Sequence, residues 1–109
     1  MSIVGFDDDE FVRELEKAGA TVWTGRAAKQ SDLIFFGVEI AKDLTRFASL
    51  LPSLETNGAM WALRRKGVSE ASEALTMAAG KAAGLVDVKV ARFSETHTAE
   101  KFVRPKDKR

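Results

Sequence analysis

The 109-residue chain contains no cysteine, one histidine, two prolines and no long apolar run. Without cysteine there can be no disulfide framework, no thiolate metal site and no cysteine nucleophile. A single histidine among scattered carboxylates has no metal-ligand spacing. His97 also lacks an identifiable orienting partner or nucleophile, so it reads as a surface residue of a turn. No catalytic residue and no metal are therefore expected. A membrane-spanning helix needs about 20 apolar residues, and no such stretch exists. Residues 1–6 lack the basic flank and apolar core of a secretory signal, which makes the cytoplasm the expected compartment. Charge of one sign is missing as well. Seventeen basic and sixteen acidic residues leave a net charge of +1, too little to select nucleic acid or an anionic membrane as a partner.

What is present points to one soluble domain. The hydrophobic content of 45% and charged content of 30% are those of an ordinary globular protein. A chain of this length buries roughly 60–70% of its unfolded surface and needs no cross-links. The domain is expected to span residues 1–105. Pro105 ends the last pairing, and 106–109 form a charged, frayed tail.

The run from Asp32 to Val38 (DLIFFGV) is almost continuously apolar. A strand with one wet face would alternate, so this one is covered on both faces, as in the middle of a parallel sheet. Around it the pattern alternates between strand and helix. Ile3–Phe6 is a short strand. Asp7 with Glu10 has capping-box spacing before a helix whose apolar face is Phe11, Val12, Leu15 and Ala18, stopped by Gly19. Ala20–Thr24 is β-prone, and Gly25–Ser31 is a polar loop. Ile40, Leu44, Phe47, Leu51 and Leu54 recur at helical spacing until Pro52 ends or kinks the helix. Asn57-Gly58 signals a turn, and Ala59–Leu63 is a strand. Ser69 or Ser72 caps a third helix with a buried face of Leu75, Ala78, Ala79 and Ala82, stopped at Gly84. Val86, Val88 and Val90 alternate with Asp87 and Lys89 in a strand with one wetter face. Residues 94–97 turn the chain, and Lys101–Val103 pairs back. Alternating strands and helices predict a three-layer, mostly parallel α/β sheet with a C-terminal antiparallel hairpin.

The segments DLIFFGVE, GAMWALRRKG and AAGLVDVKVARFSETHTAEKFVRPK resemble a family of small bacterial proteins of unknown function. Members of that family look like a reduced Rossmann-like core of S-adenosylmethionine (SAM)-dependent methyltransferases. The resemblance implies a strand order of 2-1-3-4-6-5. It also exposes departures. The glycine-rich loop expected after the first strand reads Gly5-Phe6-Asp7-Asp8-Asp9. The acid expected at the end of the second strand is replaced by Thr24-Gly25-Arg26. One β-α unit is missing between Gly25 and Asp32, and with these departures from the resembled family no cofactor is expected.

In open α/β sheets ligands bind beyond the carboxyl ends of the strands. Here that rim gathers Asp7, Asp8, Arg26, Glu39 and Lys66, which are the candidate ligand-binding residues, although helix capping and solvated loops would also explain them. Arg64-Arg65-Lys66 reads as the wet end of a strand, since it lacks the interleaved aromatics of a nucleic-acid surface. Trp23 and Trp61 fall in strands and suit packing or an interface. Ala20–Thr24 is an uncharged edge with no proline, so either two copies pair along it as a homodimer or Gly25–Ser31 covers it. The reading that follows is a non-catalytic binding or protein-interaction module on a degenerate methyltransferase-like fold. The alternative is a nucleotide-like small-molecule binding domain, or a cryptic enzyme using the rim.

Overall fold

The apolar run at residues 32–38 lies within strand β3 (Ser31–Val38). In the computed structural model, which describes residues 1–69 and 72–108, this strand has a partner on each side. The other strands are β1 (Ser2–Val4), β2 (Trp23–Thr24), β4 (Leu54–Arg65), β5 (Val86–Arg92) and β6 (His97–Val103). They form one six-stranded sheet in the order β2-β1-β3-β4-β6-β5. Strands β2, β1, β3 and β4 run parallel, and β6 is antiparallel to both its neighbours. Helix α1 (Asp9–Lys17) packs on one face, and α2 (Arg46–Leu50) and α3 (Glu73–Ala82) on the other. The three-layer α/β architecture and its strand order are those implied by the resemblance.

Two aromatic clusters hold the layers together. Phe36 is fully buried against Phe47 of α2, ring centroids 4.9 Å apart, and Phe47 in turn meets Phe102 of β6 at 4.7 Å. Phe35 points to the other face and meets Phe11 of α1 at 5.1 Å. Adjacent residues of a strand face opposite ways, so consecutive phenylalanines serve both layers.

Several local readings are corrected by packing. Asp8, not Asp7, caps α1, accepting the Phe11 amide at 3.0 Å. Ala18 is exposed at the end of that helix. Strand β2 keeps only Trp23 and Thr24 of the expected five residues. The segment from residue 41 to residue 53 is not one helix but a 3-10 turn, α2 and a second 3-10 turn, with Ile40 exposed and Leu54 already in β4. Asn57-Gly58 does not reverse the chain. It sits in an irregularity of β4 where Ser31 pairs with Leu54 but Leu33 pairs with Ala59. A Cβ on Gly58 would lie 2.7 Å from the Asp32 carbonyl, so only glycine lets the strands stay this close. Ser72 caps α3 and Gly84 ends it with φ +87°, as expected. The buried residues of α3 are Thr76 and Gly80, however, while Leu75 is exposed. The close approach of α3 runs through Gly80, where a Cβ would sit 2.6 Å from Cδ2 of Phe102. In β5 all three valines are exposed, because the strand is at the edge and bulges between Asp87 and Lys89. Residues 106–108 of the tail form a 3-10 turn, and Arg109 lies outside the described residues.

Candidate functional site

Strand β1 ends at Val4, and the chain turns through Gly5 at φ +64°, a conformation glycine adopts at little cost. The turn leads into the acidic triplet and α1. Because Asp8 is spent on the helix cap, Asp7 and Asp9 keep exposed carboxylates. Across from them β2 ends at Thr24-Gly25. Between these two strand ends lies a cleft of about 510 Å³, with Ile3 and Gly5 at its base, Phe6 and Asp7–Asp9 on one wall and Thr24-Gly25 on the other. A second groove, of about 350 Å³, lies between α2 and α3 away from the strand ends. It is almost wholly apolar, lined by Phe47, Ala48, Ala79 and Ala82 among others.

The five sequence candidates do not form one site. Asp7 and Asp8 line the cleft, and Arg26 is exposed next to Gly25. Glu39 lies beyond β3 and pairs with Arg65 at 3.4 Å. Lys66 donates from Nζ to the Ser94 carbonyl at 3.3 Å and from its amide to Thr96 at 2.9 Å, which ties it to the β5–β6 turn. The basic run is thus divided. Arg64 binds Glu100 through Nε–Oε1 at 2.7 Å, deep in the sheet.

His97 is the first residue of β6 and not a turn residue. Its ring stacks edge-on against Phe6, centroids 5.1 Å apart, and Nδ1 lies 2.8 Å from the Thr96 hydroxyl. Burial lowers its pKa, opposed by the charge of Glu39. Phe6 thereby joins the cleft wall to the β6 end of the rim. Two residues had no signal in the sequence. Glu100 is fully buried, and burial raises its carboxyl pKa, opposed by the Arg64 hydrogen bond and charge. Arg46 lay within a predicted helix; its guanidinium reaches Gly5. Trp23 is 56% exposed, whereas Trp61 is half-buried beneath the Lys101 ammonium, 5.9 Å from the ring centroid.

No family model matches the chain, and no curated protein matches it in sequence. Solved structures do match. LepI in complex with SAM superposes with a TM-score of 0.71 at 9% identity, over 95% of this chain and 42% of that one. PigF with SAH gives 0.61 at 15% identity, over 96% and 48%. A TehB-like SAM-dependent methyltransferase from Corynebacterium glutamicum gives 0.60 at 11% identity, over 94% and 67%. The fold is the Rossmann-like core of the SAM-dependent methyltransferases. This methyltransferase-like core spans less than half the length of the LepI and PigF chains. Its sheet begins at β2, with residues 25–30 forming a loop where the resemblance implies a missing β-α unit. No helix among the described residues is long and apolar enough to cross a membrane.

Proposed function

We propose that this methyltransferase-like core is a non-catalytic binding module that takes a nucleoside-type small molecule in the cleft between β1–α1 and β2. The observation that carries the reading is the cleft itself, about 510 Å³ at the carboxyl ends of two parallel strands, where open α/β sheets bind ligands. Its volume falls in the range of small-molecule sites. Asp7 and Asp9 offer acceptors to hydroxyl and amine donors, and they disfavour a polyphosphate through like-charge repulsion. Neighbours of the same fold bind SAM or SAH, which supports a nucleoside-sized ligand. The non-catalytic half of the reading is supported by the one hydroxyl–imidazole pair near the rim. Thr96 and His97 are adjacent in sequence where the chain enters β6, and among the described residues no carboxylate bonds to the imidazole to orient it as a base.

A thermal-shift and calorimetry panel of nucleosides, nucleotides, SAM and its demethylated product tests the proposal. Binding by at least one of them should raise the melting temperature through mass action, and Asp7→Ala should weaken it. A panel with no binder sinks the reading.

The exposed Trp23 on the open β2 edge favours a second reading, a homodimer through the segment from Ala20 to Thr24. With only two residues in β2, side-chain burial of Trp23 would carry it more than strand pairing. Light scattering at micromolar concentration decides: a mass near 11.9 kDa excludes the dimer, and about twice that supports it.

A further inference from the structure

We propose that strand β5 is a self-association edge: two copies of the chain join antiparallel along it, so that the sheet runs on from one copy into the other. The inference is independent of the cleft reading.

Strand β5 closes the sheet at the end opposite β2, with β6 as its only neighbour. One row of its backbone amides and carbonyls therefore lacks a strand partner, the feature that makes an edge a template for another chain. With seven residues it is the longer open edge, since β2 has two. Three of the six exposed large hydrophobic side chains among the described residues are its valines, Val86, Val88 and Val90. Lysines and bulges usually protect an edge, and β5 has both in Lys89 and the bulge at Val88. A partner must accommodate them, and a second copy does.

The pairing with β6 fixes which way each residue points, because partners across an antiparallel pair share a side of the sheet. Asp87, Val90 and Arg92 lie opposite Phe102, Glu100 and Thr98. Phe102 packs under Gly80 of α3, which puts these three on the α3 side. Val86, Lys89 and Ala91 lie opposite Val103, Lys101 and Ala99, and Ala99 belongs to the cluster on the α1 side. Val88, the extra residue of the bulge, has no partner on β6. A two-fold axis normal to the sheet sets the α3 side of one copy beside the α3 side of the other, so paired residues must again share a side. The register that meets this over the greatest length of strand pairs Val86 with the second copy's Ala91, Asp87 with its Val90 and Val88 with its Lys89. The two bulges then oppose each other. Asp87 meets the second copy's Arg92 on the diagonal, within reach of a long side chain, and the symmetry makes that contact twice. Among the described residues neither Asp87 nor Arg92 has an ion pair within one copy. Lys89 lays its aliphatic stem along the valines and keeps its ammonium in water. The strand is thus complementary to itself in charge and in apolar pattern, as a two-fold contact requires.

Sedimentation equilibrium, carried to about 500 μM so that even a weak pairing is populated, should show a mass near twice 11.9 kDa. Asp87→Arg and Arg92→Asp should each weaken the dimer about tenfold or more, since like charges then face each other at both contacts. The double exchange should restore it. Trp23→Ala, at the other edge, should leave the mass unchanged. A monomer at every concentration overturns the proposal. So does a dimer that ignores the single reversals, one that the double exchange fails to restore, or one that Trp23→Ala dissociates. Circular dichroism checks that the variants fold. Should one not, hydrogen exchange on the wild-type protein decides: protection of the amides from Val86 to Ala91 must rise with protein concentration, and protection independent of concentration overturns the proposal.

Discussion

Replacing Arg64 with alanine should unfold much of this protein's stability, through a residue that lies on neither aromatic cluster. Arg64 Nε donates to Glu100 Oε1 at 2.7 Å, with side-chain exposures of 14% and 0%. Alanine leaves a carboxylate in the sheet with no cation. Breaking one partner of a buried pair costs about 3–5 kcal/mol, against a total of roughly 5–15 kcal/mol for a domain of this size. Urea titration should show a midpoint lowered by about 1 M or more. The loss depends on pH in a stated direction. Burial places the Glu100 pKa above its unfolded value, so between the two the folded protein holds a proton that the unfolded chain has released. Stability therefore falls as pH rises from the usual carboxylate range through the folded-state pKa. Arg64→Ala removes the hydrogen bond and charge that hold this pKa down, which widens the interval. The penalty should be smaller at about pH 4 than at pH 7, and in a Glu100→Gln background it should lose that pH dependence. A cost at pH 7 below about 1 kcal/mol, the range of exposed ion pairs, would refute the reasoning.

Three further outcomes are expected. Phe36→Ala should cost about 3–5 kcal/mol, since the ring is fully buried against Phe47; a melting temperature within a degree or two of the parent would contradict its central position. Gly80→Ala, which in a free helix interior gains about 1 kcal/mol, should here lose about 1–3 kcal/mol, because the new methyl meets the immobile Phe102 ring; a raised urea midpoint would contradict that packing. SAM itself should bind more weakly than about 10 μM, roughly −7 kcal/mol, because Phe6 and Asp7 stand where close backbone approach is needed; a tighter constant by calorimetry would overturn this.

Periodicity and punctuation were enough to recognise the layers. The apolar run at 32–38, the Ser72 cap, the Gly84 stop and the alternation of strand with helix are local signals, and local signals report on burial of whole faces. Strand order came from the resemblance, since pairing partners are distant in sequence. The site was legible only in part. Asp7 and Asp8 follow directly from their place after β1, and both line the cleft between the ends of β1 and β2. Glu39 and Lys66 were drawn to the same rim by the same rule, yet each is held by a partner from another element. Offsets of one residue, such as the cap moving to Asp8 and the buried face of α3 moving to Thr76 and Gly80, arise because helix phase is set by what it packs on. Tertiary structure alone decided that Glu100 is buried with Arg64, that Gly80 admits Phe102 and that Arg46 fills the space above Gly5. Each of these is a contact between residues far apart along the chain, and neither partner carries a pattern in its own neighbourhood that announces the other.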